Sequence, residues 1–574
     1  MTETFTIPPT WRWLDRPPLG LDTGLKGHVL VVLYWRLGCV HSRVALHELT
    51  MALTEFADEP VTAICVHVAT CDEERDEDRL RRWVQTSPAP VTVAIQPQVS
   101  GERLPSMLLV DAECAVRVRA VGVPRRSSMR AAVQALLTEA RRAGLAAKVP
   151  FVPAALPASS AWLPIAVACD GERIWVASAG RRQVLGFEQD GSVAMVVGSG
   201  EPGAEDGEAA LASFSLPSSL GIHDEYLVVA DSHSHTLRAI DRSTGEVRTW
   251  CGTGRLGHDE MGGSYGRDQA LSSPAGMVSR DGGLFVCQAG TNQLWQIDPM
   301  TGSAMAWLGG EVADYGGDSF SAGQDGAAGE SFSEPIGLAD DEDTLWVVEG
   351  RGHTLSAVDL AHVQRRTVYA GFRRPVAVVL HGDRVLVADA FQATVFAVTA
   401  SDGQAVPLLG PDHGLVEPVS LAMHGDRLLI ADMGADAVFV CDLAADQVKL
   451  SRLPVTGIPE RVVSAAGPAA LVAQAQELRE HSDVSIRIDT PGHDDGLEAV
   501  VDVVDEGTQL LACDRHEATL VKGSMVTVLL PVEGPGVGAL RIRLRLGGVT
   551  THYVMPATAT ASGELEATLV LPTG

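Results

Sequence analysis

Six times between Pro164 and Asp432 the chain repeats one pattern. A proline opens an apolar segment, a turn leads to a strand of the type Leu-x-Val-Ala-Asp, and a tight polar turn leads to another apolar strand. The opening prolines are Pro164, Pro217, Pro274, Pro335, Pro375 and Pro418, spaced by 53, 57, 61, 40 and 43 residues. The second strands align at 175–178, 228–231, 285–288, 347–349, 386–389 and 429–432. Four residues beyond the last, polar position of each come Arg182, His235, Asn292, His353, Ala393 and Asp436. A unit of about 40 residues with three or four short strands cannot bury its apolar face alone, so six in register specify a six-bladed β-propeller. A His or Asp that recurs blade after blade reads as a hydrogen-bonded turn residue rather than as a metal ligand.

The run Ala230-Asp231-Ser232-His233-Ser234-His235-Thr236-Leu237 resembles the NHL repeat. The first three units carry extra loops rich in Gly, Asp and Glu at 198–213, 252–271 and 309–331. Leaving their blades at the same point, they are expected on one face, where a protein partner or small ligand would bind. Asp314, Asp318 and Asp325 in the third loop lack EF-hand spacing, and neither a metal nor a cofactor is expected.

Ahead of the repeats, residues 29–35 form an apolar run ending in Trp35, followed by a small turn and a 3.6-residue pattern starting at Cys39. A cysteine at a helix N-terminus faces unpaired N–H groups and the positive end of the dipole, which favour a thiolate. His41, if protonated, would help hold it. A second strand is expected at 60–68, a helical segment at 72–84, a hairpin at 104–121, and a helix at 127–145 capped by Ser127. Strand, helix, strand, hairpin, helix, with Trp35 four residues before Cys39, a C-x-x-S motif and Leu104-Pro105 ahead of the hairpin, resembles the thioredoxin fold. The resemblance implies that Cys39 is a nucleophile, that Ser42 replaces the resolving cysteine, and that Pro105, usually cis there, shapes the groove beside the sulfur. Leu33 stands where the family often buries an acid, and the segment before Pro105 is short enough to lack one family helix. Cys71, beyond the second strand, is a candidate resolving thiol.

Alternating segments at 484–489, 526–530, 539–546 and 549–555 read as a small antiparallel β-sandwich, with a basic face on Arg541-Ile542-Arg543-Leu544-Arg545. The expected organisation is therefore multidomain, α/β plus all-β. It comprises a thioredoxin-like domain at 1–150, a linker at 151–161, the propeller at 162–462 and the sandwich at 463–574. That order resembles NHL-repeat-containing proteins with an N-terminal thioredoxin-like domain.

Of the net charge of −29, residues 1–150 contribute 18 − 17 = +1, so the remainder carries −30. Such a surface repels phosphate backbones and argues against nucleic acid. The start of the chain has no basic and apolar leader, and no apolar run reaches about 18 residues, so neither export nor a membrane partner is expected. Nine scattered cysteines without framework spacing suit a reducing, cytoplasmic setting. The expected role is an interaction or scaffold protein whose thioredoxin-like domain docks or senses redox state through Cys39. The rival is a monothiol thiol-disulfide oxidoreductase or isomerase using Cys39.

Overall fold

In the computed structural model, side chains are described for residues 3–14, 19, 25–87, 91–96, 103–151, 162–310, 331–445 and 448–458, together with the backbone of nine strands between 485 and 570. The expected linker at 151–161 and the acidic loop at 311–330 lie outside these, apart from Phe151. Two compact units divide the chain at Glu460/Arg461.

The first unit begins with a six-stranded mixed sheet. Its strands are β1 (Arg12–Trp13), β2 (Val29–Trp35), β3 (Val61–Val68), β4 (Thr92–Gln96), β5 (Ser106–Val110) and β6 (Val116–Val121), in the order β1-β4-β3-β2-β5-β6. Strands β2, β3 and β4 are parallel, and β5 and β6 close the sheet as an antiparallel hairpin. Parallel strands are buried on both faces, which is why β2 is apolar throughout. One face, with Val29, Val31 and Leu33, packs on α1 (Val40–Leu53), α2 (Glu77–Gln85) and α3 (Arg126–Arg142). The other face, with Leu30, Val32, Ile64 and Val66, is covered by Phe5, Trp11 and Leu25.

Two elements differ from expectation. Strand β4 is a short buried run whose pattern alone does not announce a strand, and its pairing with β3 settles it. Helix α3 starts at Arg126 with Arg125 as an extended N-cap behind Pro124, one residue before Ser127, and no side chain caps it.

Residues 164–452 form six four-stranded antiparallel sheets in sequence order, the six blades of a propeller; in blade 3 an additional strand, Gly262–Tyr265, pairs with the outermost strand. The repeated polar positions explain how the blades hold together. At the end of each second strand a side chain ties down the connection entering its own blade. Asp231 accepts from the Ser215 and Leu216 amides, Asp389 from Arg373 and Arg374, and Asp432 from Val416 and Glu417. The residue four positions on sits at positive φ in all six blades, between 50° and 59°. From there the side chain reaches the next blade in blades 2, 3, 4 and 6. His235 Nδ1 accepts from Ser273 N at 3.0 Å, Asn292 Oδ1 from Glu334 N at 2.8 Å, and Asp436 Oδ1 from Leu163 N at 2.7 Å. The last contact joins blade 6 to blade 1, and Thr456 reinforces it by bridging to the turn at Gly191–Val193.

Residues 485–570 supply two further antiparallel sheets. One orders Ser485–Asp489, Met525–Pro531, Glu564–Val570 and Thr558–Ala559. The other orders Leu510–Ala512, Leu497–Val504, Ala539–Leu546 and Val549–Pro556, with Glu517–Leu520 on Leu497–Val504. Among the described residues no helix is long and apolar enough to cross a membrane.

The closing latch yields a test. Asp436→Ala leaves the Leu163 amide without its acceptor and should cost about 1–3 kcal/mol, seen as a lower urea midpoint. Asp436→Asn keeps an acceptor and should recover most of that. An unchanged midpoint in the alanine variant would mean the ring closes without the latch.

Candidate functional site

Antiparallel strands place the second-to-third turn and the connection to the next blade on the same end of each sheet, so the long loops at 198–213 and 252–271 leave on the face bearing the repeated turns. The first is anchored inward: the fully buried Arg238 donates to Ser213 O, Glu205 O and Asp206 Oδ1. The face expected to receive a partner already has an occupant. Residues of the N-terminal sheet-and-helix part lie against it.

At the centre of that seam is Cys39. Strand β2 ends at Trp35, and Arg36-Leu37-Gly38 turn the chain so that Cys39 becomes the extended N-cap of α1. No side chain caps this helix and no acid sits in its first turn, so the positive helix end is left to the thiol. Cys39 is only 3% exposed. Gly38 is gripped from both sides. Its N–H donates to Glu74 Oε1 at 2.7 Å, and its carbonyl accepts from Arg374 Nη1, in the connection entering blade 5, at 2.9 Å. A Cβ at Gly38 would come within 2.6 Å of Glu74 Oε1, so the close approach suits glycine.

Arg374 also pairs through Nη2 with Glu334 Oε1, and Arg43 Nη2 lies 3.8 Å from the same oxygen. His41 Nε2 donates to Gly290 O, in the second-to-third turn of blade 3, at 2.9 Å. Val40 and Val44 pack with Ala289, Leu256, Ala275 and Ile336. Further along, Glu417 receives Arg82 Nε and Nη2 at 3.1 and 2.8 Å and Trp83 Nε1 at 3.2 Å, while Arg79 Nε lies 3.3 Å away. Arg182 Nη2 reaches across from blade 1 to Ser87 O at 2.8 Å.

This environment sorts ionisable groups in opposite directions. Burial pushes the Cys39 thiol up, but the hydrogen bond and charge of His41 more than offset it and bring the thiol down to about 6. Burial opposes protonation of His41, yet Cys39 and the Gly290 carbonyl raise it. Burial also opposes a charged Glu334, and Arg374 and Arg43 override it, down to about 2. The arrangement is a thiolate–imidazolium pair beside a buried carboxylate held by two guanidiniums. His47, His233 and His235 go the other way. They are buried in the seam, with the His47 and His233 rings 4.6 Å apart, and burial first, then Arg126, Arg182, Arg43 and neighbouring imidazoles, hold them neutral; His47 and His235 fall to about 3.

The remaining sequence candidates are placed as follows. Ser42, fully buried, has a hydroxyl without a hydrogen-bond partner. Pro105 follows a cis Leu104–Pro105 bond, immediately before the Ser106↔Tyr34 register pair, so it sits across from Trp35 beside the Cys39 turn. Trp35 stacks edge-on against His67 at 5.3 Å. Leu33 is buried between Cys65 and Met107 in register. Cys71 lies past β3 at the same end of the sheet, where burial and then Glu74 push its thiol up to about 11, so it is a protonated thiol. Glu334, Arg374 and Glu417 were not anticipated from the sequence. Each directly precedes the opening proline of blades 4, 5 and 6, where blades 1–3 carry Leu163, Leu216 and Ser273. Buried charge in a column otherwise apolar or small was the available signal.

Proton linkage makes the seam pH-sensitive. The docked imidazoles are neutral, whereas exposed ones bind protons below about 6.5, so acid favours the open state progressively towards about 3. Cys39 adds stability that is full above the ordinary thiol range of about 8.5 and is lost as pH falls through about 6. His41, raised by the same pair, gains on docking the proton that Cys39 loses and offsets it near neutrality, so urea resistance should rise from pH 5 to pH 7 through the neutral imidazoles. His47→Gln should flatten that rise. In addition, His41→Gln should raise the Cys39 titration read by thiolate absorbance by at least about one unit. A curve unmoved by these changes would contradict the assignment.

No protein-family model matches the chain. It is 24% identical over 372 residues to Protein SUPPRESSOR OF QUENCHING 1, chloroplastic, of Arabidopsis thaliana, covering 61% of this chain and 34% of that protein. Against NHL repeat-containing protein 2 it is 24% identical over 413 residues in Gallus gallus, covering 65% of this chain and 55% of the relative. The Bos taurus protein of that name is 32% identical over 152 residues, 25% of this chain and 21% of the relative. The chain thus spans between a fifth and just over half of these relatives' own lengths. Six blades built on the repeated polar turn, together with similarity to relatives named for the same repeat, support reading the chain as an NHL-repeat protein.

Proposed function

We propose that this protein is an interaction scaffold in which a thioredoxin-like N-terminal domain docks on its own propeller, with Cys39 as the redox-responsive element of the seam. The observation that carries the reading is the position of Cys39: an activated thiolate beside His41, 3% exposed beneath blades 3 to 5. An activated thiolate facing solvent would meet client disulfides, whereas one under a lid responds only when the lid opens. When it opens, Cys39 Sγ attacks a client disulfide, a new S–S bond forms, and the client's other sulfur leaves as thiolate. Ser42 supplies no second thiol, so the mixed disulfide persists until an external thiol displaces it. The C-terminal residues serve in this reading as a β-sandwich that extends the scaffold. All eight described cysteines are free thiols, in keeping with a reducing, cytoplasmic setting.

The second reading, a monothiol oxidoreductase, is favoured by the lowered thiol alone. Reaction of Cys39 with an aromatic disulfide reagent at pH 7 separates the two. Docking as a gate predicts slow labelling of the native chain. It also predicts an increase of at least about tenfold in Arg374→Ala, which removes the hydrogen-bonded partner of buried Glu334 and leaves it Arg43 alone at 3.8 Å, and in Glu417→Gln, which loosens Arg79 and Arg82. Native labelling as fast as in the variants, with turnover of a protein disulfide by glutathione, would make the oxidoreductase the correct description.

A further inference from the structure

The propeller end opposite the seam carries a second surface that the docking does not use. Between blades 3 and 4, where the turns at 280–283 and 341–344 meet, lies a groove of about 650 Å3. Its floor is apolar: Leu284, Phe285, Trp307 and Leu360, with Phe285 and Trp307 edge-to-face at 4.9 Å. Its rim is acidic, with Asp281, Asp298, Glu342 and Asp343. Arg280 is the one cation among the lining residues, and it is spent within the fold, donating through Nη1 to Asp341 O and through Nη2 to Glu342 O, each at 2.7 Å.

The groove does not end at its floor. Met305 lines it and stands 55% exposed, and the added edge strand of blade 3 brings Met261 alongside, its carbonyl accepting from Ala306 N at 3.1 Å. Met261, Tyr265 and Met300 are 77%, 63% and 90% exposed. Four of the eleven large apolar side chains left exposed among the described residues therefore sit on this one blade. Isolated exposed hydrophobics need no explanation, but four on one blade, one of them lining an aromatic-floored groove, do.

We propose that this side of blade 3 is a docking surface for a basic amphipathic peptide segment of a partner protein. Charge complementarity sets the sign: Arg280 pairs with Asp281 at 3.3 Å, and the other rim carboxylates, Asp298, Glu342 and Asp343, favour Lys or Arg on the incoming chain and repel acidic segments and nucleic acid. The floor takes an apolar side chain between those cations, in a volume within the range of ligand-binding clefts. Unbranched methionines adapt to whatever apolar surface lies above them, so the outer patch suits the apolar stripe of a helix. A compact ligand would leave that patch uncovered, whereas a segment of several turns covers both.

Selection of random twelve-residue peptides displayed on phage against the full chain tests this. The expected outcome is enrichment of sequences with Lys or Arg flanking Leu, Phe or Met at helical spacing. Binding of the best synthetic peptide, followed by fluorescence anisotropy, should weaken about tenfold or more in Glu342→Lys/Asp343→Lys and, separately, in Met305→Glu. These positions are on the surface, and unchanged circular dichroism establishes that the variants fold. Selection that returns nothing above background, that returns neutral or acidic peptides, or that returns peptides binding both variants as tightly as the native chain would overturn the proposal.

Discussion

The Arg374 guanidinium makes two contacts that neither partner could replace. One arm holds the Gly38 carbonyl in the turn before Cys39, and the other holds Glu334 in the connection entering blade 4. All three groups are buried, so each needs the others: a lone guanidinium or carboxylate at that depth would lose far more in hydration than a neighbouring dipole returns. That mutual dependence fixes where α1 begins relative to the propeller. With the start of α1 fixed, His41 meets Gly290 and Val40 and Val44 meet the apolar residues of blades 3 and 4.

Because the contact is dry, it changes the chemistry of every titratable group it encloses. Burial alone would hold Cys39 as a thiol, as it does Cys65 at about 12. What distinguishes Cys39 is a partner of opposite charge at hydrogen-bonding range, and His41 is charged because Gly290 and Cys39 both accept from it or attract it. His47 and His233 lie in the same seam, and burial, reinforced by guanidiniums and each other, holds them neutral. One interface thus makes an ion pair at one end and a neutral imidazole cluster at the other, and acid attacks both.

How much of this could be read from residues alone varies with range. The blades were legible, because their period, opening prolines and second-strand columns are local. So was the role of the recurring His, Asn and Asp, since a side chain repeated in every blade serves the blade. The strand–turn–helix at Cys39 was equally plain, as was the basis for a thiolate there. Strand β4 was not, because five residues without alternation acquire their identity only from β3 beside them. The docking was hidden for a different reason: Arg79, Arg82 and Glu417 look like ordinary surface charges until the fold removes water from around them.

The column before the opening prolines shows how an almost symmetric ring can receive an asymmetric partner. Six equivalent blades offer six equivalent seats, and a domain held by apolar contact alone could rotate from one to the next. Leu163, Leu216 and Ser273 on three blades, against Glu334, Arg374 and Glu417 on the other three, remove that freedom. A one-blade rotation towards blade 6 would set the Gly38 carbonyl against Glu417, and one towards blade 4 would set it against Glu334; either would bring an acceptor against a carboxylate. Like-charged or unpaired groups in a dry contact are costly enough to exclude such seats. The repeat builds the platform, and the three departures from it select the one orientation in which Cys39 lies against His41 and under blade 3.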